Sequence, residues 1–206
     1  LCLLTRASSA SVAPAPIYLQ AVSGCGRVSA MPEQLSPHFA DVELVDWRNG
    51  HVWQTPTSRA RYIELCQRTL EPIRAAVGKS VKVVSGERLE SKTAANSRHM
   101  PPEKRPNPRE RGKPDGSLDA AADLKVAGVT ALELALVVLR LMGQREIPVG
   151  GVGIYPTFIH VDNRGKLASW RGTGVDEATF QRFRSAVADC ATCVRISMEV
   201  GGDDEA

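Results

Sequence analysis

The sequence predicts an α+β fold, a small, mostly antiparallel sheet flanked by helices, and three observations predict it. Apolar residues recur at helical spacing over 57–77 and 131–141. Short β-branched or small-residue runs stand at 81–85, 121–126, 152–155 and 158–161. The two kinds of segment mix without a regular βαβα alternation. The chain has 206 residues, 43% hydrophobic and 24% charged, which fills one core and leaves little for a second.

Taken in order, residues 1–30 are rich in Ser, Ala, Val, Pro and Gly and are read as a flexible leader or upstream extension. Leu1-Cys2-Leu3-Leu4 is compatible with the remnant of a signal peptide. Organised sequence begins only after Met31, which favours Met31 as the natural start. One domain is then expected over 31–200. In 57–77 the residues Tyr62, Ile63, Cys66, Leu70, Ile73 and Val77 lie at helical spacing, Gly78 closes the segment, and Pro72 is expected to kink it. Val81-Lys82-Val83-Val84-Ser85 is β-branched, stops at Gly86, and reads as a short buried strand.

Over 100–120, Pro101, Pro102, Pro106, Pro108, Pro114 and Gly116 alternate with Lys104, Arg105, Arg109, Arg111 and Lys113. That composition predicts a mobile basic insertion without a packed element, either a solvated excursion or a lid over substrate. Residues 121–126 are small-sided and suit a strand crossing under a helix. Thr130-Ala131-Leu132-Glu133 is a capping box for a helix reaching about Leu141 and stopping at Gly143. Two strands at 152–155 and 158–161 are joined through Pro156-Thr157. A last helix at 176–194 precedes a frayed acidic tail at 201–206.

A net charge of +3 and a pI near 8.7 are mildly basic. An anionic polymer suits such a surface, but the cationic excess of a nucleic-acid binder is lacking, and no nucleic acid is expected. The longest apolar run, 131–142, is too short to span a bilayer, so a monomer without a membrane span is expected. Five cysteines in irregular spacing argue against a disulfide framework. The pair Cys190 and Cys193 forms a C-x-x-C on a predicted helix with no βαβ pattern before it, and reads as incidental or structural thiols.

The chain has four histidines, of which His99 and His160 stand beside acidic residues at the ends of strands or loops. Two neutral imidazoles and one carboxylate give zinc three protein ligands and leave a fourth position for water, the composition of a hydrolytic site. Spacing alone leaves the reading as ordinary surface or core histidines open.

The local strings are more specific. Ser97-Arg98-His99, and after the insertion Ala121-Ala122-Asp123-Leu124, resemble the S-x-H-x-x-G-x-A-x-D signature of the zinc D-alanyl-D-alanine peptidases, whose fold is shared with the hedgehog signalling domain. Gly150-Gly151-Val152-Gly153-Ile154-Tyr155-Pro156, Phe158-Ile159-His160-Val161-Asp162, Arg164-Gly165 and Trp170 resemble that family's third-ligand block. The helix ending at Gly78 and Val83-Val84-Ser85-Gly86-Glu87-Arg88 are similar to its upstream helix and S-G-x-R strand, so the resemblance covers 36–170. It implies a hedgehog-like peptidase fold with one zinc ion on His99, Asp123 and His160. The spacing from His99 to Asp123 departs from the family's few residues, and Asp119 is the nearest substitute.

Zinc lowers the pKa of its bound water from about 15.7 to about 7, which makes an attacking hydroxide available at neutral pH. Members of the family carry an acidic base three positions before the last histidine. Here that position is Thr157, which cannot serve, and Asp162 is nominated, with orientation of a ligand or pairing with Arg164 as its alternative. Arg88 matches the family arginine that holds a substrate carboxylate or the developing oxyanion; its alternative is a surface pair with Glu87 or Glu90. Ser97 and Tyr155 are assigned to substrate binding, with a plain loop hydroxyl and a packing ring as alternatives. Trp170 is read as packing beside the site, and His38 and His51 as structural. The resemblance implies a peptidoglycan peptidase, a D,D-carboxypeptidase or an endopeptidase acting on stem peptides of the bacterial cell wall. It would be released at lysis like a phage endolysin or exported to the envelope. A non-catalytic binding or structural protein on the same fold, or a zinc peptidase of other substrates, is the rival.

Overall fold

A computed structural model describes residues 32–45, 53, 55–88, 97–107 and 119–200. The expectations for the leader, His51 and the tail 201–206 lie outside the described residues. The architecture is mixed α+β with two sheets. A small hairpin pairs β1 (Gln34–Ser36) with β2 (Phe39–Ala40), and the short helix α1 (Asp41–Leu44) follows it. The main sheet has five strands in the order β3-β4-β6-β5-β7: β3 (Val81–Ser85), β4 (Ala121–Val126), β5 (Gly151–Ile154), β6 (Ile159–Asp162) and β7 (Ala168–Arg171). Every pairing in it is antiparallel except that of β5 with β7.

The helix predicted over 57–77 is one rod with a widened turn. It runs as α2 (Pro56–Leu65), a π-helical turn (Cys66–Leu70) and α3 (Glu71–Val77), with Gly78 closing it at φ 66°. The disturbance falls before Pro72 rather than at it. A proline ring crowds the carbonyl four residues back, and the wider turn makes room by bonding the Glu71 amide to the Cys66 carbonyl, five residues behind. Tyr62, Leu65, Cys66, Leu70 and Ile73 are all fully buried along this rod.

Helix α4 (Ala131–Gly143) starts on the capping box as the sequence indicates: Thr130 Oγ1 accepts from the Glu133 amide at 3.2 Å, and the Glu133 carboxylate accepts from the Thr130 amide at 2.8 Å. Its buried stripe of Leu132, Leu134, Ala135, Val138, Leu139, Leu141 and Met142 packs between the sheet and α5 (Glu177–Val200). Each large apolar side chain so buried contributes about 1.5–3 kcal/mol. Asp176 caps α5, its Oδ1 accepting from the Thr179 amide at 2.8 Å, and the helix continues past the predicted end at 194.

Two expectations are corrected. The insertion does hold a packed element at its start. Met100, Pro101, Pro102 and Arg105 are buried, and Pro102–Lys104 forms a 3-10 turn, because Arg105 and Asp119 neutralise each other at 2.6 Å beneath it. Strand β7 was not foreseen; its residues alternate half-buried and exposed along the sheet edge and carry too little apolar content to signal a strand. Among the described residues, no helix is long and apolar enough to cross a membrane.

Candidate metal centre

The site grows from one rung of the main sheet. Across it the register aligns Ser85 of β3, Asp123 of β4, His160 of β6, Gly153 of β5 and Trp170 of β7. Residues aligned across neighbouring strands project to the same face, so Asp123 and His160 stand side by side although 37 positions separate them in sequence. His99 is supplied by a loop. Its carbonyl accepts from the Arg88 amide at 3.1 Å, and its Nδ1 lies 2.5 Å from the Gly86 carbonyl oxygen. Gly86 is needed there, since a Cβ would fall 2.2 Å from the Leu44 carbonyl oxygen.

The result is a buried triad of His99, Asp123 and His160 that could hold a metal ion. His99 Nε2, Asp123 Oδ1 and His160 Nδ1 form a nearly equilateral triangle with sides of 3.0, 3.1 and 3.2 Å. Ligands about 2.0–2.1 Å from a tetrahedral ion stand about 3.3 Å apart, so the triangle is close to a metal's own geometry. The outer partners fix where the protons sit. His99 Nδ1 donates to the Gly86 carbonyl and His160 Nε2 donates to Asp162 Oδ2 at 3.2 Å, which leaves a lone pair on each inward-facing nitrogen. In that tautomer three acceptors face one another, an arrangement suited to a positive charge at its centre.

The metal-free cluster couples the three groups electrostatically. Burial pushes the His99 imidazole down to about 4, outweighing the pull of the Asp123 carboxylate, so the ring is neutral near pH 7. Burial also disfavours the charged form of His160, but its bonds to Asp123 and Asp162 win and raise it. The two rings differ because His160 faces two carboxylates and His99 faces one. Burial would raise Asp123, yet hydrogen bonding to His160 and His99 holds its carboxyl well below the usual range. Arg88, about a third exposed, donates from Nη2 to Asp123 Oδ2 and from Nε to Ser85 Oγ at 2.8 Å.

The other sequence-predicted residues are distributed around this cluster. Asp162 is fully buried on the far edge of the His160 ring from the triad. Its oxygens accept from the Gly151 amide at 2.9 Å and from the Arg164 amide and Nε at 3.1 and 2.8 Å. That position leaves the carboxylate engaged on the side of the ring away from the triad. Ser97 Oγ accepts from the His99 amide at 3.3 Å and shapes the ligand loop. Asp119 joins Arg98 and Arg105 rather than the histidines. His38 bonds Glu71 at 2.7 Å, within the hairpin contact to α3.

Trp170 extends over Gly153 until its ring centroid is 4.8 Å from that of His160; a Cβ at Gly153 would lie 2.4 Å from the indole. Its Nε1 donates to the Tyr155 hydroxyl at 3.1 Å, and Tyr155 stacks on Phe158 at 4.4 Å. Together they wall one side of the cluster. Sequence reasoning missed Arg61, which is buried and donates to carbonyls on both sides of His99. The available signal was an arginine between Ser58 and Leu65 on the buried stripe of an amphipathic helix. Comparison of the chain with protein-family models, with curated proteins and with solved structures gives no match.

Proposed function

We propose that this chain is a zinc-dependent peptidase of peptidoglycan peptides, a D,D-carboxypeptidase or an endopeptidase. The observation that carries the reading is the convergence of His99 Nε2, Asp123 Oδ1 and His160 Nδ1 within 3.2 Å of one another. Two imidazoles and one carboxylate suit zinc with an open fourth position better than a closed structural site, which commonly takes four protein ligands. Bound there, zinc would supply a Lewis acid and a water acidified to near neutrality.

The chain's own groups account for the remainder. Asp162 holds the His160 ring and keeps its proton on Nε2. Arg88 is a planar, permanently charged fork beside Asp123 and part open to solvent, suited to a substrate carboxylate or a developing oxyanion. Tyr155 and Trp170 supply the apolar wall against which a short peptide would lie.

A second reading, a non-catalytic protein such as a phage particle component that keeps the metal as a staple, is favoured by one observation. Thr157 occupies the position where the family carries its base and is exposed, and Asp162 is engaged behind His160. Metal content of the purified chain, measured together with peptide release from intact peptidoglycan with and without a chelator, separates the two. Stoichiometric zinc with chelator-sensitive release supports the peptidase. Zinc without release from several wall types supports the second reading, and absence of metal uptake sinks both.

A further inference from the structure

We infer that Arg61 is a positioning residue for the ligand His99, and that the Arg105–Asp119 pair completes its work by closing the base of the insertion. The inference rests on the metal reading of the triad. The first two ligands are 24 positions apart in sequence, so something other than the chain path must hold them in register. Closing a longer loop costs entropy, and a long connection between two ligands would spread their separation unless its ends are fixed.

The fixing is visible in hydrogen bonds. Arg61 Nη1 donates to the carbonyls of Arg98 at 3.0 Å, Met100 at 3.4 Å and Asp119 at 3.0 Å; Nη2 donates to the His99 carbonyl at 3.3 Å and to Glu87 Oε1 at 3.1 Å. One guanidinium therefore reaches three successive carbonyls centred on His99 and the residue that leads into β4. Arg105 repeats the pattern from the other side, donating to the Ser97 and Met100 carbonyls at 3.2 and 3.0 Å and to Asp119 Oδ1 at 2.6 Å. Arg98 adds a 2.7 Å contact to Asp119 Oδ2. On the β4 side, Ala120 is bonded through its amide to Asn163 Oδ1 at 2.8 Å, and its carbonyl accepts from the Asn163 amide at 3.3 Å. The two ends of the insertion are thus bonded to each other and to α2, around His99 at one end and four residues before Asp123 at the other.

Arg61 and Arg105 reach the His99 loop through its backbone carbonyls. Arg61 is fully buried and donates to the His99 carbonyl, not to its ring, so its effect on the ion is indirect. A lysine keeps the charge and three donors, but gathers them on one nitrogen and so cannot span the carbonyls of Arg98, His99 and Asp119 as the planar fork does.

The test uses cobalt(II) as probe, titrated into the full chain after chelator treatment, with affinity measured against a competing chelator and the visible absorption bands recorded. Arg61→Lys is expected to bind cobalt roughly 10–100-fold more weakly and to shift its bands, the range typical for losing support of a metal ligand. Asp119→Asn, which keeps the side-chain shape, is expected to lose about tenfold and carries the same test if Arg61→Lys does not fold. Leu139→Ala, destabilising the core away from the loop, is the control and should bind cobalt as the parent does. Unchanged affinity and bands in Arg61→Lys and Asp119→Asn would overturn the positioning role and leave the metal reading standing. Equal weakening in Leu139→Ala would overturn it too, since general instability would then explain the loss. No cobalt uptake by the parent chain would overturn both.

Discussion

Replacing Asp162 by asparagine exchanges one oxygen for an NH2 group with little change in size and should still weaken metal binding sharply. Asp162 Oδ1 accepts from the Gly151 and Arg164 amides and Arg164 Nε, and Oδ2 from the Arg164 guanidinium and His160. Because the two backbone amides cannot turn away whereas the Arg164 and His160 side chains can, an asparagine should keep its carbonyl oxygen at the Oδ1 position. Its amide nitrogen then replaces Oδ2 and faces His160 Nε2 at about the present 3.2 Å. Two N–H groups cannot share that contact. The proton of His160 is driven to Nδ1, which removes the lone pair aimed at the triad. Loss of such a supporting carboxylate typically costs 10–100-fold in metal affinity, roughly 1.4–2.7 kcal/mol. The metal-free fold should lose less, about 1–2 kcal/mol, since the Arg164 side chain is 19% exposed and water replaces part of the ion pair. Zinc competition against a chelator and urea unfolding with chelator present measure the two quantities. Full zinc affinity in Asp162→Asn would refute the tautomer argument, and if turnover vanished at the same time, Asp162 would act on the proton of the reaction itself.

Three further outcomes are expected. Gly153→Ala forces the indole of Trp170 off His160 at a cost of about 1–3 kcal/mol, read as a change in tryptophan fluorescence and a lower Tm; an unchanged emission spectrum would contradict the described packing. Thr130→Ala removes the cap of α4 and should cost about 1 kcal/mol in denaturant unfolding, whereas a loss under a few tenths would mean the helix start is held by packing alone. Burial tends to raise Glu71, but bonds from Ser36 and His38 outweigh it and lower its pKa. A lowered carboxylate stabilises above its unfolded pKa, near 4.3, and loses that contribution as pH falls through the folded value. Glu71→Gln should therefore be less stable than the parent at pH 7, by up to about 1 kcal/mol, with the gap closing below pH 4; a gap independent of pH would assign it to shape rather than charge.

The motif strings singled out His99, Asp123 and His160 by residue type and order rather than by spacing. His99, Asp123 and His160 do stand together in the structure, and the capping box at Thr130 and the hairpin through Pro156-Thr157 were readable from turn and cap chemistry alone. What escaped was long-range. Prolines and arginines at 100–107 read as solvated, yet Arg105 is fully buried, because Asp119, 14 positions on, neutralises it. No local pattern encodes that partner. The widened turn at Cys66–Leu70 escaped for a related reason: the sequence shows that Pro72 disturbs a helix but not on which side the rod yields. Asp162 illustrates the limit of period-2 reasoning. Sharing a strand face with His160 placed it beside the ring, but which edge of the ring it meets depends on a rotamer fixed by Arg164 and Gly151.

Because Asp123 and His160 share one rung of the sheet, the centre exists only when β4 and β6 are paired in a single alignment. A slip of one residue would turn one of the two ligands to the opposite face. Those strands are separated in sequence by α4 and β5, so their pairing is a long-range contact. An ion bound by the triad would be retained only by chains whose strands are correctly matched, and a metal-occupied fraction would count them.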